Sequence, residues 1–225
     1  MNTKTPKDRM REAKNLYHHN EFRAYMRNLQ GFTDNDFESR KALIKSGILN
    51  SKEKDPVTIF DDIMRSIKEH WDKPVFPTNA DWHHYIVPGI ILSSLRNTGY
   101  EISDKDIEEA MFRGEQLLGG SCGFAGTCGG AYSAGIVISI INKTTPLHLT
   151  ERSAAMKAVV DVLNEISLYP IRCCKRSSYI TIQMTVNTLR SMGFDKISNK
   201  KIKCIWSPYN NNCMRKQCPF FEEGV

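Results

Sequence analysis

Apolar residues recur at three- and four-residue intervals through most of this chain, the period of one helix face. Between residues 6 and 30, Leu16, Phe22, Tyr25, Met26 and Leu29 predict a basic amphipathic helix that Gly31 ends. Asp34 or Asn35 caps a second, short helix through Ile44, stopped at Gly47. The polar run 50–56 reads as a linker, which sets residues 1–50 apart as an N-terminal helical segment. From Val57 onward, Ile59, Phe60, Ile63, Met64, Ile67 and Trp71 share one helical face. Pro74 and Pro77 end that helix, because neither can continue its hydrogen bonding. Residues 81–92 predict a helix bent at Pro88 and closed at Asn97-Thr98-Gly99. Ser103 and Asp106 then form a capping pattern that opens a helix to Leu118.

The periodicity breaks at residues 118–131, which hold six glycines and two cysteines, Cys122 and Cys128. Glycine costs backbone entropy, so such a run needs close approach or unusual dihedrals to justify it. The apolar stretch from Tyr132 to Ile141 predicts a buried helix, with Cys128 at or just before its N-terminus. Backbone N–H groups and the helix dipole favour a thiolate there. The plain alternative is a glycine-rich loop with two inert cysteines. Thr150 caps the next predicted helix, through Ser167, with Ala154, Ala155, Ala158, Val159, Val162 and Ile166 inward. Tyr169-Pro170 breaks it, and Arg172–Ser178 opens a last helix to Arg190, ending near Gly193. Residues 201–206 read as one short strand, and residues 207–219 as loop. The pattern as a whole predicts a mainly α protein: a multi-helix bundle with a Gly/Cys-rich loop and an irregular cysteine-bearing C-terminal tail.

Composition narrows the function classes. The 225 residues are 40% hydrophobic and 25% charged, ordinary for a globular domain. No apolar run is long enough to span a bilayer, and residues 1–7 are polar, which predicts a cytoplasmic protein with no membrane role. In a reducing compartment, seven cysteines are metal ligands or reactive thiols rather than disulfides. The net charge of +6 is unevenly spread: residues 171–218 carry ten Lys/Arg against one acid, Asp195. That segment also holds five of the cysteines, which points to an anionic occupant; a solvated basic face is the bland reading.

The cysteines fall into three groups. Cys122 and Cys128 lie on the glycine loop; Cys173-Cys174 stand at a predicted helix N-terminus among Arg172, Lys175 and Arg176; Cys204, Cys213 and Cys218 are spread along the tail. The dipole and three cations predict a depressed thiol pKa at Cys173-Cys174. Adjacent cysteines seldom bridge each other, so a metal, a cluster or a reactive pair suits them better. Cysteines on irregular backbone, the last followed by Pro219, suit iron–sulfur ligation, and zinc takes the same thiolates. His83 and His84 are candidates to line the cysteine site, although histidines in such places more often pack or hydrogen-bond. No P-loop, dinucleotide fingerprint, Ser-His-Asp arrangement or zinc-protease motif is present.

Residues 82–89 (WHHYIVPG), 120–131 (GSCGFAGTCGGA), 145–147 (TPL) and 172–176 (RCCKR) together resemble an uncharacterised cysteine-rich domain of anaerobic bacteria and archaea, DUF5714. The resemblance covers about Val57 to Phe221, giving a cysteine-rich helical domain at 57–221. The Cys-Gly-Gly-Ala portion is more distantly similar to the redox-active C_GCAxxG_C_C proteins, with Ser133 in place of their glycine. The resemblance implies a neighbouring S-adenosylmethionine-dependent methyltransferase, because the domain also occurs fused to such enzymes. The expectation is an iron–sulfur protein of redox or sulfur chemistry, with a [4Fe–4S] cluster and zinc as the alternative metal. Cys122, Cys128, Cys173, Cys174, Cys204, Cys213 and Cys218 are its candidate ligands. His83, His84, Arg172, Lys175 and Arg176 are candidates to bind an anionic or sulfur-containing small molecule. A methyltransferase or redox protein is the expected partner. The competing expectations are a zinc-stabilised module that binds an acidic partner such as RNA through residues 171–216, and a metal-free thiol enzyme using Cys173 or Cys174.

Overall fold

The computed structural model describes residues 5–31, 33–73 and 76–223. Among these residues there are ten α-helices, two short 3-10 turns and no strand. None of the helices is long and apolar enough to cross a membrane. The basic amphipathic stretch forms two helices, α1 (Pro6–Asn15) and α2 (His19–Gln30), rather than one. Leu16 leaves helical geometry at ψ 89°, which turns the chain between them. Thr5 closes a capping box on α1, and Gly31 ends α2 in the left-handed region.

Helix α3 (Asp34–Asn50) runs through Gly47 instead of stopping there. A Cβ at Gly47 would stand 2.6 Å from the Ile63 side chain, so this glycine serves close helix packing. Ile44 and Ile48 of α3 are fully buried. Asp55 caps α4 (Pro56–Glu69), which packs on α3 and α5. Pro74, expected as a helix stop, lies outside the described residues; α4 has already ended five residues before it.

Helix α5 (His83–Asn97) is the axis of the bundle. It packs against α3, α4, α6 (Asp104–Glu115), α8 (Gly129–Ile141) and α10 (Cys174–Ser191). Its run from Ile86 to Leu95 is entirely buried, as an all-round apolar helix must be. Pro88 sits inside it. Helix α6 starts at the Ser103 capping box and ends before Leu118. The glycine loop contains one helical turn, α7 (Ser121–Phe124), and α8 then begins at Gly129, three residues earlier than its apolar run.

Helix α9 (Leu149–Ser167) covers α8 and α10. Its N-cap is His148, not Thr150, whose hydroxyl instead donates to Glu151 Oε2 at 2.9 Å. Ala158 and Val162 are buried, Ala155, Val159 and Ile166 are partly covered, and Ala154 is exposed. The tail forms no strand at residues 201–206, because no neighbouring strand offers a ladder. Its backbone is fastened at one point by the Cys204 N–H donating to Phe220 O at 2.7 Å. The buried Trp206 and Phe220 side chains hold it to the core.

Candidate thiol site at the start of helix α10

The last long helix decides where the thiols go. Cys173 is its N-cap, in extended backbone, and Cys174 is its first residue. The change of backbone between them sends the two side chains to different sides. Cys174 joins Cys122 and Cys128 around Arg172, whose guanidinium lies within electrostatic reach of all three. Cys173 lines a cavity with Cys204, Cys213 and Cys218, walled by Tyr179, Trp206 and Phe220. Seven thiols therefore make a set of three and a set of four, back to back across one helix start.

The three-thiol set sits where the α8 and α10 N-termini meet the glycine loop. Cys128 is the N-cap of α8. It accepts hydrogen bonds from the backbone N–H groups of Gly130 and Ala131 and from Ser177. Cys122, in the α7 turn, is exposed. The Cys174 N–H donates to Asn79 Oδ1 at 2.8 Å, which ties α10 to the segment before α5. Arg172 is held above its ordinary pKa, first by the Cys174 thiolate, against desolvation, and then by Cys122, a hydrogen bond to Cys174, and Cys128. His84 shapes this corner beside Gly129. Its Nδ1 is bonded to Leu117 O at 2.9 Å, and its ring fills the space beside Gly129, where a Cβ would lie 1.9 Å from the imidazole. Only glycine allows that approach.

The four-thiol set is ordered by the backbone of the tail. Cys213 Sγ accepts from the N–H of Arg215 at 3.4 Å, and Arg215 has a left-handed φ of 50°. Cys204 accepts from the N–H of Trp206. Cys173 accepts from the N–H of Arg176 and from Asn210 Nδ2, each at 3.5 Å. With Cys128, four sulfurs thus receive a backbone N–H from two or three residues further along. Such turns point amide dipoles at sulfur and lower the cost of a thiolate.

Burial acts against them. The Cys204 thiol is pushed up to about 12, chiefly by desolvation, against the Trp206 N–H. Cys128 and Cys173 are likewise raised, with burial the largest cause in each. The expected depressed pKa at Cys173 is therefore corrected. One helix N-terminus and Arg176 do not outweigh removal of the thiolate from water.

The three cations flanking Cys173-Cys174 divide between the two thiol sets, with Lys175 and Arg176 lining the four-thiol cavity. Arg172 serves the three-thiol set. Arg176 is buried, donates to Ile171 O and to Met214 Sδ, and lies over the Tyr169 ring. Lys175 points into the core, where its Nζ is 2.8 Å from His83 Nε2 and 5.3 Å from the Trp206 ring centre. His83 Nδ1 is bonded to Ala80 O at 2.8 Å, which leaves Nε2 to accept from Lys175. Burial lowers Lys175 to about 7 and holds His83 well below its usual value. His83 and Lys175 are thus an interior pair.

Asp61 is a residue that sequence reading missed. Its Oδ1 accepts from Tyr179 Oη at 2.6 Å and Trp206 Nε1 at 2.8 Å, pinning tail, α10 and α4 together. The signal was an acid on an otherwise apolar helical face beside Phe60. As the side chains stand, no three His, Cys, Asp or Glu groups among the described residues are placed to hold a metal ion. A model described as a family of unknown function, DUF5714, matches residues 44–221. No curated protein and no solved structure matches the chain.

Proposed function

The chain belongs to the DUF5714 family, and from that premise we propose that it is an iron–sulfur-binding, thiol-rich protein of redox or sulfur chemistry. Cys173, Cys204, Cys213 and Cys218 are the holding set in this reading, and Cys122, Cys128 and Cys174 with Arg172 are the working set. The supporting observation is the sulfur environment: four thiols line one cavity, and two of the tail sulfurs and both N-cap sulfurs accept backbone N–H groups. Hydrogen bonds to sulfur are a principal way in which proteins tune thiolate-bound clusters. Binding would draw the four thiols inward, since none of the groups stands preformed. With the four holding thiols on the cluster, a substrate would meet the working thiols Cys122, Cys128 and Cys174. Around those thiols, Arg172 would hold negative charge, Asn79 would fix the α10 start, and the buried His84 would keep the loop in place.

Zinc on the same four thiolates is the second reading, favoured by the simple turn geometry at Cys204 and Cys213. A nucleic-acid strip draws less support. Lys175 and Arg176 are buried, and Lys201 and Lys203 both pair with Glu222. Cytoplasmic location and a methyltransferase or redox partner remain part of the proposal. Metal, sulfide and visible-absorption analysis of anaerobically purified protein tests it. Iron with acid-labile sulfide and a brown colour, lost in Cys204→Ser, is the expected result. Colourless protein with stoichiometric zinc would replace it with the zinc module. Protein that takes up neither metal on anaerobic reconstitution would leave a metal-free thiol enzyme.

A further inference from the structure

A second cavity opens on the far side of the working set. It lies between α2 and the glycine loop, and its walls include Arg23, Arg27, Phe37, Asn79, Trp82 and Arg172. Two of these residues touch the thiol site directly. Asn79 accepts the Cys174 N–H, and Arg172 is hydrogen-bonded to Cys174 and within reach of Cys122. The cavity floor, Gly119-Gly120, leads straight into the α7 turn that carries Cys122.

The walls carry three guanidinium groups against one carboxylate, Asp81. Arg27 pairs with Asp34 at 3.6 Å and lies over Phe37 at 4.9 Å. Arg23 has no ion pair among the described residues, and the groups that Arg172 faces are thiols. Cations gathered around a hollow repel one another unless an anion enters. Phe37 and the buried Trp82 add flat apolar walls. Helix α2 is seated across the loop, with His19 Nε2 bonded to Gly119 O at 2.7 Å and the His19 and Phe22 rings 4.8 and 5.5 Å from Phe124.

We propose that this cavity binds a small molecule with a carboxylate or phosphate group on a flat apolar body, held by Arg172 next to the thiols that Arg172 faces. We further infer that α2, which precedes the family-matched region, completes the site and so sets its specificity in this chain. The inference rests on the preceding reading only for what happens at the thiols. Binding itself needs no metal.

The test uses the full chain and three probes: phenyl phosphate, benzoate and the uncharged benzamide. Calorimetry should show at least one anion binding, benzamide binding at least tenfold more weakly, and Arg23→Gln losing about tenfold in anion affinity. Arg23 touches no thiol, so metal content should stay unchanged in that variant, and failure of the cluster reading would leave this result intact. As a second readout, a saturating anion should slow iodoacetamide labelling of Cys122, followed by peptide mass spectrometry. Equal binding of anions and benzamide, wild-type affinity in Arg23→Gln, or labelling of Cys122 that ignores the bound anion would each overturn the proposal.

Discussion

The two thiol sets begin at neighbouring residues and differ in their most accessible member and in what borders them. Around Arg172, Cys122 is exposed, a cation faces the sulfurs, and a positively charged cavity adjoins them. Around Cys173, the sulfurs sit under Trp206 and Phe220, burial pushes Cys173 and Cys204 up, and Asp61 latches the tail. Under the proposed reading, thiols in the first environment would meet a substrate. Those in the second would hold the metal. In that reading, the access of Cys122 and the burial of Cys204 would divide the roles of cysteines that are identical in chemistry.

The largest effect expected is on metal. Cys213→Ser should remove most of the iron or zinc bound by the holding set, whereas Cys122→Ser should leave that fraction in place. Elemental analysis of both variants checks it, and equal losses would merge the two sets into one site. Next is Asp61→Ala, which strands two buried donors and should cost about 3 kcal/mol. The tail should then become protease-sensitive and Cys204 quick to alkylate, with Cys122 unchanged; Asp61→Asn, which keeps an acceptor, should cost far less.

Gly129→Ala sharpens the comparison from the other side. A methyl there meets the His84 ring and should cost about 2 kcal/mol by overpacking, loosening Cys128 while the tail keeps its protease resistance. The smallest signal is a slope. Lys175 falls from 10.5 to about 7 on folding, so between those values the unfolded chain binds more protons than the folded one. Stability of the metal-free protein should therefore gain from this residue as pH rises from 7, by no more than about 1.4 kcal/mol per pH unit. Urea unfolding of Lys175→Met at several pH values should show that contribution gone.

Much of the helical architecture was legible in the sequence. The Ser103 capping box, the buried run of α8 and the start of α10 at the cysteine pair follow from capping and apolar period. Gly47 misled because glycine marks both helix ends and close crossings, and only Ile63, sixteen residues away, tells which. The expected strand failed because a strand needs a partner, which local sequence does not supply. The thiols stood out from type and spacing as a candidate set. Their division did not, since spacing cannot say which way a side chain leaves a helix cap.

The sequence by itself determined the helices, most of their ends and the list of groups able to do chemistry, because capping, period and side-chain type are local properties. The tertiary structure alone decided the partners. It separated Cys173 from Cys174, buried Lys175 on His83, turned Arg172 to the open thiols and set Arg23 across from it. Each of those outcomes depends on what surrounds a group in three dimensions. Desolvation and Coulomb energies follow distance and exposure, and neither is written along the chain.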